Sequence, residues 1–125
     1  MNKVIYLTHP KAMDYDNELY KPIRNSILNN KFNFVFPYED DGMPYNSKEL
    51  ILNDNCQIVL AEVSEPSTGQ GIELGWAIVK NIPIIAFYKP GSKVSNSVKM
   101  LVNSIFEYSD PEELVSALEQ KLANI

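Results

Sequence analysis

The chain is poor in the residues that metal and redox sites need. One cysteine, Cys56, and one histidine, His9, are all that its 125 residues contain. A lone cysteine excludes an internal disulfide and fits either a reducing compartment or indifference to redox state. A lone histidine leaves no support for a histidine-based metal cluster or for a nucleophile–histidine pair within one chain. Positive charge is also short, with 11 Lys and Arg against 16 Asp and Glu for a net charge of −5. Binding a nucleic-acid polymer through its phosphates needs clustered basic residues, so that class is set aside, whereas a small polar ligand needs few charges. No run approaches the roughly 18 apolar residues of a membrane span, and no signal-peptide pattern opens the sequence. The expectation is a cytoplasmic protein of one domain, residues 1–125, large enough to build a core.

What is present is an alternation of short apolar runs and amphipathic stretches. Strands are expected at Lys3–Thr8, Asn33–Phe36, Ile58–Val63, Pro83–Tyr88 and Ile105–Tyr108. Between them, Asp14–Asn30 carries Leu19, Ile23 and Ile27 at helical spacing, with Pro22 forcing either a late start or a kink. Helices are also expected over Ser47–Asn55, with Ser47 as N-cap, and over Ile72–Lys80 and Val94–Val102. The final helix is the best signalled, with Asp110 as N-cap, Pro111 at the first position and Glu113 three residues after the cap. Strands alternating with helices give right-handed crossovers and a parallel sheet covered on both faces. The fold class is therefore α/β, a flavodoxin-like or Rossmann-like three-layer sandwich around five parallel strands. In such sheets ligands bind beyond the carboxyl ends of the strands.

One stretch at that edge concentrates unusual chemistry: AEVSEPSTGQGIELGWA, Ala61 to Ala77. An apolar strand runs into a turn, Ser64 to Gly71, and then into a helix that would place Glu73 on its first turn, where the macrodipole favours a negative charge. Gly69 and Gly71 let a ligand approach the backbone amides. The glycine spacing is neither a dinucleotide fingerprint, because Leu74 stands where GxGxxG needs glycine, nor a phosphate loop, because no Gly-Lys-Ser/Thr follows. On local physics Glu73 is either a nucleophile facing a cleft or an ordinary helix-start carboxylate. Glu62 is either a functional charge or a solvated or capping one, Ser64 and Ser67 either ligand donors or turn residues, and Tyr6 either a hydroxyl aimed at the cleft or core. His9 is a loop residue that could touch a ligand. The acids Glu39, Asp40 and Asp41 read as a solvated loop, Cys56 as packing, and Trp76 as core or interface.

The pairing of IYL in the first strand with VLAEVSEPSTGQGIELGWA resembles the nucleoside 2-deoxyribosyltransferase superfamily. It is closest to the branch of 2'-deoxynucleoside 5'-phosphate N-hydrolases, whose motif runs approximately VVAEVTxPSxGxGxELGxA. The resemblance implies that Glu73 attacks the anomeric carbon of the sugar and forms a covalent glycosyl-enzyme, with Tyr6 orienting it. It implies that Ser67 and the amides around Gly69 and Gly71 hold a 5'-phosphate, and that Glu49 aligns with an acid handling sugar or base. Ser97, or Asn96 under a one-residue shift, aligns with a phosphate-contacting serine given across a homodimer interface. The implied partner is a nucleoside or nucleotide, with no metal or organic cofactor. The chain departs from the branch at THPKAMD, where Pro10 replaces a serine and Lys11 is the nearest cation to a missing arginine. Deoxyribosyl transfer between bases, a nucleotide-binding module without turnover, and a ligand-free interaction domain are the other readings.

Overall fold

A computed structural model describes residues 2–40 and 45–125. Five strands, β1 (Val4–Thr8), β2 (Asn33–Val35), β3 (Ile58–Glu62), β4 (Ile84–Tyr88) and β5 (Ser104–Glu107), form one sheet in the order β2-β1-β3-β4-β5. Every neighbouring pair is parallel, and the β1–β3 register places Tyr6 opposite Val59 and Thr8 opposite Ala61. The expected α/β sandwich is thus the observed one, with strand limits within a residue or so of those read from the sequence.

The two sheet faces hold separate cores, as the two-residue period of a strand requires. Ile5 and Leu7 of β1, with Ile58 and Leu60 of β3, pack on one face against Leu19, Ile23 and the helix α6 (Pro111–Leu122). Tyr6 of β1 and Val59 and Ala61 of β3 pack on the other, against α3 (Ser47–Leu52) and α4 (Thr68–Val79). In α6 the side chain of Asp110 accepts from the Glu113 N–H at 2.8 Å, as its sequence signal predicts. Its Leu114, Leu118 and Leu122 are buried, each contributing on the order of 1.5–3 kcal/mol.

Three helix readings change. The segment expected as one helix over Asp14–Asn30 is a π-helical turn at Asp16–Tyr20 followed by two short helices, α1 (Lys21–Arg24) and α2 (Leu28–Lys31). Pro22 lies in the first turn of α1, where its missing N–H costs nothing. The N-cap of α3 is Asn46 rather than Ser47, its side chain accepting from the Glu49 N–H at 3.2 Å. The third change is at α4, which begins at Thr68, four residues before the expected Ile72. Ser67 caps it, and Leu74 and Ala77 bury its inner face. That packing outweighs the helix penalty of Gly69 and Gly71, about 1 kcal/mol for each glycine. Glu73 therefore stands on the second turn of α4, beyond the first-turn reach of the macrodipole. The helix α5 (Asn96–Leu101) lies on the same face of the sheet as α4. Asp41 lies outside the described residues.

Candidate active site

Tyr6 and Thr8 stand two residues apart on β1, a central strand, and so project from the same face, the one covered by α4. That geometry delivers two hydroxyls to one carboxylate. The Tyr6 phenol donates to Glu73 Oε2 at 2.6 Å, and the Thr8 hydroxyl donates to Glu73 Oε1 at 2.7 Å. Tyr6 and Thr8 are each 1% exposed, while Glu73 is half-buried. Burial, then the charge and the hydrogen bond of Glu73, push the Tyr6 phenol far above its ordinary range, with the Ser47 hydroxyl acting the other way. Tyr6 thus keeps its proton and remains a donor. With a donor on each oxygen, the arrangement fits an ionised, acceptor-only carboxylate.

Glu73 opens onto a cavity of about 250 Å³. Its lining brings Tyr6, Thr8, Ser47, Ser67 and Gly69 together with the aromatic rings of Tyr38, Tyr45 and Trp76. Among the described residues lining it, Lys11 is the one cationic side chain and Glu73 the one acid. The Lys11 ammonium lies over the Tyr38 ring, 5.4 Å from its centroid. Aromatic walls, hydroxyls and a single cation suit a planar polar ligand that carries an anionic group.

The sequence candidates divide. Tyr6, Ser67, Gly69 and Glu73 meet at this cavity. Gly71 does not, and its N–H is taken by the Ser67 carbonyl at 3.0 Å, so only Gly69 of the two glycines borders the space. Ser97 borders a different cavity, on which Ser67 and Gln70 also lie. Glu49 reaches neither. It is exposed and accepts a hydrogen bond from the Asn46 side-chain amide at 3.1 Å, the same side chain that caps its own N–H at the start of α3. Ser47, two residues earlier, is the α3 side chain that borders the cavity.

His9 does line the cavity, but both of its ring nitrogens are engaged within the chain. Nδ1 lies 2.9 Å from the Pro10 carbonyl and must donate to it, so Nε2 accepts from the Tyr20 hydroxyl at 2.6 Å. Tyr20 in turn accepts from the Tyr38 N–H at 3.2 Å. Burial lowers the His9 pKa below its ordinary 6.5, and the ring stacks on Tyr15. His9 is a wall residue that sets the Tyr38 loop, with no nitrogen free for a ligand.

Sequence reasoning gave Thr8 no role of its own, read Ser47 only as a helix cap and Trp76 only as core or interface, and passed over Tyr38 and Tyr45. The signal for Thr8 was present, because a residue two after Tyr6 in a strand shares its face. The others are brought in by loops and helix packing, which no local pattern announces.

Glu62 is fully buried and not solvated. Its carboxylate accepts from the Ser64 N–H at 2.8 Å, the Ser64 hydroxyl at 2.9 Å and the Tyr108 hydroxyl at 2.5 Å. Among the described residues no group of three or more His, Cys, Asp and Glu is placed to hold a metal ion. No described helix is long and apolar enough to cross a membrane.

No protein-family model matches the chain. It is 36% identical over 71 residues to a protein of Syntrophotalea carbinolica provisionally named 2'-deoxynucleoside 5'-phosphate N-hydrolase 1, covering 54% of this chain and 50% of that one. A protein of Methanosarcina mazei with the same provisional name is 34% identical over 71 residues, covering 54% and 44%. The chain thus spans about half the length of the curated relatives it matches. Among solved structures, the Clostridium botulinum CMP N-glycosidase BcmB superposes with a TM-score of 0.62 at 21% identity, over 94% of this chain and 99% of that one. A conserved protein of Enterococcus faecalis V583 gives 0.59 at 19% identity, over 97% and 99%. A signal receiver domain of a LuxO repressor protein from Vibrio parahaemolyticus gives 0.60 at 11%, over 99% and 92%. At such identities these likenesses establish the fold alone, and the receiver domain illustrates how many functions it carries. The curated homologues of the chain are proteins named as 2'-deoxynucleoside 5'-phosphate N-hydrolases, and its fold is one shared with a CMP N-glycosidase.

Proposed function

We propose that the protein cleaves the N-glycosidic bond of a deoxynucleoside or a (deoxy)nucleoside 5'-monophosphate, with Glu73 as nucleophile. The observation that carries this reading is the Glu73 carboxylate, held by one hydroxyl on each oxygen and facing an aromatic-walled cavity. A Glu73 oxygen attacks the anomeric carbon, and the carbon–nitrogen bond breaks with its electron pair leaving on the base, which takes a proton from solvent. Water then attacks the same carbon, releasing the sugar and restoring the carboxylate. Throughout, the two hydroxyls hold the carboxylate and its partial charge in place. The names of the homologues and of the structural neighbour support cleavage of an N-glycosidic bond.

Lys11 and the capped start of α4, at Ser67 and Gly69, are the groups on this cavity suited to a 5'-phosphate. The protein would work as a homodimer in the cytoplasm. Supporting the dimer, Val79 of α4 and Met100 of α5 are 77% and 86% exposed, and Ile72 and Leu101 of the same two helices are further exposed apolar side chains. A solution mass of twice the 14.2 kDa chain checks it.

Transfer to a second base is the variant in which a base replaces water in the second step. A binding module without turnover is the alternative from another class, favoured by Pro10 and Lys11 at the first loop. Incubation of the purified protein with each deoxynucleoside monophosphate, following free base by chromatography, separates these. Base release above a Glu73→Ala control supports hydrolysis, release only with an acceptor base supports transfer, and tight nucleotide binding without release supports the module. A ligand-free interaction domain predicts an uncharged cleft, which the presence of Glu73 and Lys11 disfavours.

A further inference from the structure

We infer that Thr8 is a second positioning residue for Glu73, equal in rank to Tyr6; this rests on the reading of Glu73 as nucleophile. A carboxylate tied at one oxygen still turns about its last side-chain torsion, which is broad and nearly two-fold. Tyr6 alone, bonded to Oε2, would leave that freedom. Thr8 removes it by donating to Oε1. Both donors stand on β1, held between β2 and β3 by its parallel partners. Two fixed points on one strand define the plane of the carboxylate. Neither donor can drift: both are 1% exposed, and the branched side chain of threonine has few rotamers. A long phenol and a short alcohol, two residues apart on one strand, span the two oxygens of a single group.

Thr8 acts through Glu73 and needs no contact with substrate, since its hydroxyl is committed to Oε1.

The test compares Thr8→Val, which keeps the branched shape and deletes the hydroxyl, with Thr8→Ser, which keeps the hydroxyl and deletes a methyl. Steady-state base release should show kcat lowered about tenfold to a hundredfold in Thr8→Val, the worth of one hydrogen bond to a charged group, with KM nearly unchanged. Thr8→Ser should stay within a fewfold of the parent protein. A parent-like kcat in Thr8→Val, or equal losses in both variants, overturns the inference, because the hydroxyl would then not be the active feature. Crystal structures of the three proteins give an arm independent of turnover. Glu73 should hold one orientation in the parent and Thr8→Ser and more than one in Thr8→Val, and an unmoved carboxylate in Thr8→Val overturns the positioning role. If the parent protein releases no base, the nucleophile reading fails by itself, and the crystallographic arm still decides whether Thr8 positions Glu73.

Discussion

Glu62 and Glu73 are built from the same parts and come to opposite ends. Each is a glutamate that accepts hydrogen bonds from a tyrosine and from a serine or threonine hydroxyl. They lie on opposite faces of the sheet, Glu62 beside Tyr108 and the α6 core, Glu73 beside Tyr6 and the α4 core. Glu62 is 0% exposed and takes a third bond from the Ser64 N–H, while Ser64 also accepts from the Lys89 N–H at 2.9 Å. Its carboxylate thereby ties the carboxyl ends of β3, β4 and β5 together. Glu73 receives two bonds rather than three and keeps an open side toward the cavity. Hydroxyl donors therefore do not distinguish the two carboxylates; an accessible side with unfilled acceptor capacity does.

The comparison breaks most visibly on substitution by the isosteric amide. Glu73→Gln should lower base release by on the order of 10⁴-fold, as loss of a nucleophile does, with the unfolding midpoint nearly kept because the amide oxygen still accepts one hydroxyl. Chromatography of free base, set beside a urea melt, checks both halves. Glu62→Gln should do the reverse. Its NH₂ faces donors that have lost an acceptor, costing about 1–3 kcal/mol of stability with kcat little changed where the protein remains folded. If Glu62→Gln abolished turnover in a stably folded protein, the division between a sealed and an open carboxylate would be wrong.

A smaller effect sharpens the picture of the cavity wall. Burial holds the His9 pKa below its ordinary 6.5, so in the native state the ring resists the proton that the unfolded chain accepts. The unfolded state binds more protons below that value, and stability is full above about pH 6.5 and falls as the pH drops through it. Urea unfolding at neutral and mildly acid pH should show that slope, and His9→Phe should flatten it. An unchanged slope in His9→Phe would assign the acid sensitivity to other groups.

How much of this the sequence shows depends on whether the cause is local. The five strands, the final helix with Asp110 and Pro111, and the pairing of Tyr6 with Glu73 are legible because periodicity, caps and a family motif all act within a short window. The start of α4 is not. Gly69 and Gly71 look like turn residues, and only the cap at Ser67 together with the burial of Leu74 and Ala77 makes that stretch helical. The same limit explains Glu49. Its alignment with an acid is a matter of sequence, but its side chain is spent on Asn46 at an exposed helix start, and Ser47 takes the place on the cavity. Thr8 lies between these cases, visible from strand alternation once Tyr6 is known to face α4.

The central claim is that Glu73, and not Glu62, forms a bond to the sugar. Rapid quenching of the protein with a deoxynucleoside monophosphate, followed by intact-mass and peptide mass spectrometry, tests it directly. The account predicts a transient adduct of one sugar phosphate on the peptide that carries Glu73, absent in Glu73→Gln. Base release with no adduct at any time, or an adduct on another residue, would contradict it.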